Sequence, residues 1–254
     1  MKLKTILLSS AVVLLCNTNI AAPDNSASDS LDTAIEEIIA DMRLVKHEEY
    51  DLVMFGRANI RAEQYNNAIA DFILALEQDS TNAETHYYLA KAYYGKSEQL
   101  KYDKLFDKAL IHIDIALRLN PEYGSAAYQA GIWLDGRGMI EDAVNYFEVA
   151  ARNFDEIKVP DSAKSSVYII LGDYYFGNAR LLLGDASQED KLKNSLAKAQ
   201  QYYESAQGIS SLDPRTKANL SWVQLQTAGN KLEALEQIVK EQPQNAQYHF
   251  MYAQ

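Results

Sequence analysis

The stretch AKAYYGKS, residues 90–97, matches the pattern of a phosphate-binding loop if alanine is accepted at its first position. In such a loop a glycine-rich turn follows a buried β-strand and wraps its N–H groups around phosphates, and a Lys-Ser or Lys-Thr pair begins the next helix. Here the preceding residues, NAETHYYL, read as a helix, and Gly95 is the only glycine. We therefore predict that Gly95, Lys96 and Ser97 form the C-terminal end of a helix and that the chain binds no nucleotide.

Histidine and cysteine, which most often bind metals or act as nucleophiles, are few. The chain has one Cys and four His, and it contains neither an HExxH nor a CxxC motif. A lone cysteine cannot form a disulfide within the chain. The histidines are far apart, so we interpret each as an ordinary helix residue and not as a metal ligand; they are His47, His86, His112 and His249. Because no nucleophile–base pair is evident either, we predict a protein that is not an enzyme and uses no metal or cofactor.

The bulk composition favours a helical protein. The 254 residues include 48% hydrophobic residues but only 11 Gly and 5 Pro, the residues that punctuate an all-β chain. The formal net charge is −11, and a charge of that sign repels phosphate backbones and anionic lipids. Nucleic acids and membrane surfaces are therefore not expected as partners.

The first 22 residues have the composition of a secretory signal peptide. Two lysines precede an apolar run, and Ala21 and Ala22 supply the small residues of a cleavage site. The apolar run is about half of the ~20 residues that a membrane span needs. We predict cleavage near Ala21 or Ala22 and a mature protein in the periplasm or outside the cell. Membrane attachment is expected only in the alternative reading, lipidation of Cys16, which is less favoured because Leu15 stands where that signal needs a small residue.

Two segments lead into the main part of the chain. Residues 23–30, PDNSASDS, are small, polar and acidic, and are predicted to be a flexible spacer. The structured region is predicted to cover residues 31–254. Its first segment, SLDTAIEEIIADMRLVKHEEY, has isoleucines at helical spacing and is predicted to be an amphipathic helix that caps the first repeat.

A repeating pattern runs through the chain from residue 49. Each unit has a large or apolar residue followed by Gly or Ala, and then an Ala-x3-large-x2-Ala pattern. The first element occurs at Phe55-Gly56, Leu89-Ala90 and Ala130-Gly131, and the second at Ala68/Phe72/Ala75, Ala109/Ile113/Ala116 and Ala143/Phe147/Ala150. Phe55 and Ala75 are 20 residues apart, and Ala75 and Leu89 are 14 apart. Leu89 and Ala116 are 27 apart, which predicts a 7-residue insertion between the helices of the second unit.

In pattern and period the sequence resembles the tetratricopeptide repeat (TPR) family, whose repeats of 34 residues follow W-x2-L-G-x2-Y…A-x3-F…P. Looser matches extend the resemblance to Leu171-Gly172 with Ala199, Tyr203 and Ala206, and to a fifth unit at about residues 215–245. The resemblance implies an all-α fold, a right-handed superhelix of stacked antiparallel helix pairs that forms an α-solenoid. We expect about five repeats, an insertion at residues 177–194 with extra helix, and a final unpaired helix at residues 245–254.

Packing accounts for the small-then-large pattern. A small residue on the first helix of a pair lets the second helix approach closely, and a large residue on the second helix fills the adjacent space. The predicted small residues are Gly56, Ala90, Gly131 and Gly172, and the large residues beside them are Phe72, Ile113, Phe147 and Tyr203.

In the TPR family the first helices of the repeats line a concave groove that holds a partner's peptide or helix. The resemblance carries this role to Arg57, Arg61, Tyr87, Lys91, Tyr94, Tyr128, Asp173 and Phe176, with Tyr50, Val53, Ile60, Glu84, Ile132 and Ile169 on the same faces. Tyrosine and arginine anchor many interfaces, but the tyrosines fit a role in covering the core equally well. The Lys/Asn carboxylate clamp of chaperone adaptors is absent, since Val53, Arg57 and Tyr88 stand at corresponding positions.

These features predict an exported TPR scaffold or adaptor that mediates protein–protein interactions in the bacterial cell envelope. Its partner would be another envelope protein or peptide, bound through the concave groove. The alternative is the N-terminal recruiting region of a larger envelope enzyme, because the last helix ends without a partner helix and the sequence reads as a fragment. A third possibility is self-association through that last helix.

Overall fold

The computed structural model describes residues 25–43, 51–241 and Gln244. Within those ranges the chain forms eleven α-helices and one short 3-10 helix, and no strand. The α-helices are α1 (Asn25–Arg43), α2 (Leu52–Arg61), α3 (Tyr65–Gln78), α4 (Ala83–Leu100), α5 (Asp103–Leu119), α6 (Gly124–Asp135), α7 (Ile140–Arg152), α8 (Asp161–Leu182), α9 (Glu189–Ile209), α10 (Pro214–Thr227) and α11 (Lys231–Glu241). The predicted all-α class is confirmed. The predicted signal peptide and final helix, together with Tyr50, lie outside the described residues.

The chain divides between Ala126 and Ala127 into two compact units. In the first unit, α2 packs on α3 and α4 packs on α5, and short connections make each pair antiparallel. Helix α3 also packs on α4, and α1 packs on α3, as a helix covering the first pair should. The carboxylate of Asp32 on α1 also forms a 2.9 Å ion pair with Lys108 of α5.

Polar side chains set where the first-unit helices begin. The carboxylate of Asp51 accepts a 3.0 Å hydrogen bond from the N–H of Met54 at the start of α2. The amide oxygen of Asn82 accepts one of 2.9 Å from the N–H of Thr85 at the start of α4. Each bond satisfies an N–H that has no partner within the first turn of a helix.

A helix of the first unit corrects two predictions about residues 90–103. Gly95, Lys96 and Ser97 lie inside α4, which continues to Leu100, so Gly95 is not a C-cap. The expected insertion between the two helices does not form a separate segment either. Its residues extend the helices themselves, so that α4 has 18 residues and α5 has 17, whereas α2 has 10. The sequence from Lys96 to Leu100 consists mostly of good helix formers, so the helix continues past the glycine.

The glycine at position 95 has a packing role. A Cβ atom at this position would collide with the aromatic ring of Tyr65 on α3, so only glycine allows that ring to lie against α4. Residues 94–97 are also helical, so their N–H groups point along the helix and do not converge on a bound anion. The stretch AKAYYGKS therefore does not form the loop that phosphate binding requires.

The start of α1 corrects the predicted spacer. Helix α1 begins at Asn25, so residues 25–30 are helical and not a flexible link. The buried isoleucines of α1, Ile35, Ile38 and Ile39, hold the rest of the helix against α3.

In the second unit the predicted packing of small and large residues recurs. A Cβ atom at Gly172 on α8 would lie 2.6 Å from the ring of Tyr203 on α9, and one at Gly131 would collide with Phe147 of α7. The same relation holds in the first unit, where a Cβ atom at Gly56 would lie 2.6 Å from the Phe72 ring. These three predicted pairings are confirmed.

The segment at residues 177–194 is mostly helical, as expected. Helix α8 continues to Leu182, the chain turns at Gly184 with φ +91°, and a 3-10 helix at Ala186–Gln188 leads into α9. The last described pair, α10 and α11, encloses a small core of Leu225, Leu235 and Ile238. No helix among the described residues has the length and apolar character needed to cross a membrane.

Candidate protein-binding surface

Three of the residues predicted to face the groove meet on α2 and α4 in the first unit. The guanidinium carbon of Arg57 lies 4.7 Å from the ring centre of Tyr88. The Nζ atom of Lys91 lies 5.4 Å from the ring centre of Tyr87 and 5.7 Å from that of Tyr88. Cations at these distances from aromatic faces are attracted by the negative charge of the π electrons. The helices therefore present charged and aromatic groups as one connected surface.

Two further tyrosines complete this surface: Tyr88, which the sequence analysis named only as a position of the absent clamp, and Tyr123, which it did not name. Tyr88 is the neighbour of Tyr87, and their ring centres are 5.1 Å apart. The ring of Tyr123, from the segment before α6, meets the ring of Tyr87 edge-on at 5.3 Å. Burial raises the pKa of Tyr87 to about 12 and also raises that of Tyr123, so both hydroxyls stay protonated at neutral pH. We call Arg57, Arg61, Tyr87, Tyr88, Lys91 and Tyr123 the basic–aromatic patch.

The charges of the basic–aromatic patch are only partly compensated. Glu84 forms a 3.6 Å ion pair with Arg57, and both side chains are about half exposed. Burial lowers the pKa of Lys91, and the positive charges of Arg57 and Arg61 lower it further. The described residues thus place Arg57 and Lys91 against the tyrosine rings, with the charge of Arg61 acting on Lys91 and the carboxylate of Glu84 on Arg57.

Tyr94, the remaining predicted groove residue on α4, has a different environment. Its ring centre lies 6.1 Å from that of Phe106, a buried residue of α5. It therefore packs towards the partner helix of its own pair, which is the alternative that the sequence left open for these tyrosines.

In the second unit, two predicted groove residues join aromatic clusters. Tyr128 on α6 meets Phe154 edge-on at 6.4 Å, and Phe154 meets Tyr168 of α8 at 5.3 Å. Phe176 on α8 meets Trp222 of α10 edge-on at 5.3 Å. The Arg180 guanidinium lies 5.7 Å from the Phe176 ring centre. These rings connect successive helices of the unit.

The predicted groove residue Asp173 makes its hydrogen bonds inside the second unit. Its carboxylate accepts three hydrogen bonds: one of 2.6 Å from the hydroxyl of Tyr203, one of 3.0 Å from the guanidinium of Arg215 and one of 3.2 Å from the amide of Asn219. Burial and the adjacent carboxylate raise the pKa of Tyr203, which keeps the hydroxyl as a donor. Asp173 thereby ties α8 to α9 and α10.

A second polar network of this unit has no counterpart in the sequence prediction. One oxygen of Glu148 accepts bonds from the Tyr175 hydroxyl at 2.6 Å, Lys198 at 2.7 Å and the Tyr202 hydroxyl at 3.2 Å. Burial favours the neutral acid, but the bonds from Lys198 and the tyrosines outweigh it and lower the pKa of Glu148. A firmly charged Lys198 and protonated tyrosines are poor nucleophiles, so the network serves to join α7, α8 and α9.

Two of the histidines that are far apart in the sequence meet in the fold. His86 on α4 and His112 on α5 stack with ring centres 5.3 Å apart and Nδ1 atoms 3.1 Å apart. This contact was not predictable from the sequence, because the two histidines are 26 positions apart and lie on two lengthened helices. Within the described ranges, no group of three or more His, Cys, Asp or Glu residues is placed to hold a metal ion.

Neither a family model nor a curated protein matches the sequence. Among solved structures, the chain is similar to YrrB, described as a TPR protein with an unusual peptide-binding site. The identity is 16%, over 87% of this chain and 100% of YrrB, with a TM-score of 0.47. It is also similar to TTC0263, a thermophilic TPR protein of Thermus thermophilus, with 18% identity, 79% and 93% coverage and a TM-score of 0.43. It is similar as well to PilW, described as a widely conserved type IV pilus biogenesis factor, with 18% identity over 79% of this chain and 96% of PilW and a TM-score of 0.38.

The helix pairs themselves define the class of protein. Each unit contains antiparallel pairs in which a glycine of the first helix receives an aromatic ring of the second, at Gly56 in the first unit and at Gly131 and Gly172 in the second. Successive pairs pack through helices such as α3 on α4 and α9 on α10. The described chain is all-α and has a TPR-like fold.

Proposed function

We propose that this protein is an exported scaffold that binds another protein or a peptide in the bacterial cell envelope. The observation that carries the proposal is the basic–aromatic patch on α2 and α4. Arginine and tyrosine are the residues on which binding energy is most often concentrated at protein interfaces. In the patch these side chains are already held by contacts with one another, so less side-chain entropy is lost when a partner binds.

The proposed location rests on the N-terminal sequence. Residues 1–22 combine lysines, an apolar run and small residues in the order of a secretory signal. Fractionation of cells, followed by mass spectrometry of the mature N-terminus, tests this part. A start near Ala21 or Ala22 in the periplasm or medium supports export, a lipidated Cys16 gives membrane attachment instead, and an intact Met1 in the cytoplasm refutes it.

The binding role is tested by photo-crosslinking in cells. A photoreactive amino acid replaces Tyr87 in the patch, and in a matched control it replaces Ile111, which is 55% exposed on α5 of the same unit. A third variant at Tyr128 samples the second unit. We expect one dominant adduct at position 87, identified by mass spectrometry, and none in common with position 111.

The outcomes at these positions separate the possibilities. If the exported and folded variant at position 87 gives no adduct, or the same adducts as position 111, the patch is not a binding surface. An adduct confined to position 128 would move the binding site to the second unit. Circular dichroism of each purified variant checks that the substitution has left the helices intact.

A further inference from the structure

The basic–aromatic patch carries positive charge on a protein whose formal net charge is −11. Arg57 and Arg61 are four residues apart on α2, so they lie on one face of the helix and repel each other. Lys91 of α4 lies close enough for both arginines to lower its pKa, and burial lowers it as well. Among the residues that the structure describes, Glu84 pairs with Arg57 at 3.6 Å and offsets part of this charge.

An arrangement of this kind is costly without a ligand. Like charges on one helix face destabilise the helix, and burying part of an ammonium group costs solvation energy. A carboxylate placed between Arg61 and Lys91 would offset both effects and form charge-assisted hydrogen bonds. The patch is thus complementary in charge to an acidic ligand.

The aromatic rings favour a polypeptide over a small anion. Tyr87, Tyr88 and Tyr123 form one group of rings with centres 5.1 and 5.3 Å apart. Tyrosine rings offer apolar area with a polar edge, which suits a peptide backbone and its side chains. A nucleic acid also combines anionic and aromatic groups, but it carries a negative charge on every nucleotide, whereas the patch offers three cations, one of them already paired with Glu84.

We propose that the basic–aromatic patch binds an acidic peptide segment, with carboxylate side chains of the partner at Arg57, Arg61 and Lys91. This inference rests on the proposed function and adds the chemical class of the partner to it. The rings of Tyr87, Tyr88 and Tyr123 hold the segment, and the cations select its charge.

A randomised peptide library displayed on phage, selected against the full chain, tests the proposal. We expect the selected peptides to be enriched in Asp and Glu over the input library. A labelled copy of the best peptide should bind more weakly as salt is added, because screening weakens exposed charge pairs. Its binding to Arg61→Gln and Lys91→Gln should fall by about tenfold or more when the two changes are combined.

The matched control is Arg118→Gln, which removes the same charge from an exposed position on α5 of the same unit. This variant should bind the labelled peptide like the original protein. Equal losses in Arg118→Gln and in Arg61→Gln alone, each of which removes one positive charge, would mean that general charge, and not the patch, attracts the peptide, and would overturn the proposal. So would selected peptides that are no more acidic than the library.

A nucleic acid ligand is the competing outcome. A labelled single-stranded oligonucleotide that binds more tightly than the best acidic peptide, and loses affinity in Arg61→Gln, would overturn the peptide assignment. A failure of the proposed protein-binding function gives a different result from a failure of the acidic-peptide proposal. In that case position 87 gives no protein adduct in cells, whereas a protein adduct together with neutral selected peptides would overturn only the acidic class.

Discussion

The Nδ1 atoms of His86 and His112 lie 3.1 Å apart between α4 and α5. The Nε2 atom of His86 also lies 3.2 Å from the carbonyl oxygen of Ser80, which can only accept a hydrogen bond. Nε2 of His86 therefore carries the proton, Nδ1 of His86 accepts, and Nδ1 of His112 donates to it. This arrangement requires the ring of His86 to be neutral, because its Nδ1 atom accepts. Burial lowers the pKa of His112 to about 4 and keeps that ring neutral as well, and the ring of Tyr93 stacks on it at 5.6 Å.

The histidine pair predicts that the protein loses stability in mild acid. Burial, the neighbouring His86 and Lys108 lower the pKa of His112 to about 4, and burial lowers that of His86. Because the unfolded chain binds protons below about pH 6.5, the free energy of unfolding falls as pH drops from there towards 4. We expect His112→Gln to remove up to about 3 kcal/mol of this dependence, measured by chemical denaturation with circular dichroism. An unchanged pH slope in the variant would contradict the assignment.

Asp71 predicts that the free energy of unfolding falls as pH rises, which is the opposite of the effect of the histidine pair. Its carboxyl group on α3 accepts a 2.7 Å hydrogen bond from the amide of Asn59 on α2. Burial raises its pKa to about 7, although the bond from Asn59 lowers it. A raised pKa stabilises the fold below the unfolded value, and this contribution disappears as pH rises through about 7.

We therefore expect Asp71→Asn to stabilise the protein in mild alkali and to change little at about pH 4, near the unfolded pKa of an aspartate. The gain should be about 1–3 kcal/mol near pH 9, because the variant has no charge to bury. Denaturation curves of the variant and the original protein at both pH values measure it. A gain that is equal at the two pH values would show that the buried charge is not its cause.

The close approach of α8 and α9 predicts different effects for two glycines of the same helix. A Cβ atom at Gly172 would lie 2.6 Å from the Tyr203 ring, whereas one at Gly177 would have no atom within 4 Å. We expect Gly172→Ala to lower the free energy of unfolding by about 1–3 kcal/mol through overpacking. Gly177→Ala should raise it by about 0.5–1 kcal/mol, because alanine favours the helix. Thermal unfolding of the two variants gives the comparison, and equal effects would refute the packing role.

Glu148 predicts that a partly buried ion pair matters more than an exposed one of the same length. The Glu148–Lys198 and Glu189–Lys193 pairs are both 2.7 Å long, but the glutamate is 21% exposed in the first and 64% in the second. Glu148→Leu leaves the hydroxyls of Tyr175 and Tyr202 without their acceptor and removes the carboxylate from Lys198, which keeps only its 2.9 Å bond to the Tyr175 hydroxyl. The loss should cost about 2 kcal/mol after allowance for solvent around Lys198. Glu189→Leu should leave the unfolding midpoint unchanged, since surface pairs contribute little.

The control for this prediction is Glu148→Gln, which keeps an oxygen acceptor. It should restore part of the loss, and its remaining deficit should shrink as pH falls. The lowered pKa of Glu148 means that its contribution is present above pH 4.5 and is lost on acidification. A loss in Glu148→Leu no larger than in Glu189→Leu would show that the network does not join the helices.

The parts of the fold that the sequence predicts are those encoded at short range. Gly56 with Phe72 and Gly131 with Phe147 lie within one helix pair of regular length, so the spacing alone places ring against glycine. Contacts made by lengthened helices were not predictable, because the added residues change the direction in which each later side chain points. The bonds from Lys198 to Glu148 and from His112 to His86 span 50 and 26 positions and depend on those directions.

The candidate site was predicted in part for a related reason. The spacing placed Arg57, Tyr87 and Lys91 on first helices, and the structure brings them together. It could not place Tyr123, which comes from a connection whose path has no periodicity. Nor could it show that the carboxylate of Asp173 is already occupied by Tyr203 and Arg215.

The edge-on contact of Phe176 with Trp222 has a spectroscopic consequence. The sequence contains two tryptophans, and both, Trp133 and Trp222, lie in the second unit. Fluorescence excited selectively at the indole therefore observes the unfolding of that unit alone. Ellipticity in the near ultraviolet reports the tyrosines of both units, so it adds the first unit to what is observed. Comparing the two signals along one denaturation curve would reveal, without any label, whether the halves of the chain melt together or in succession.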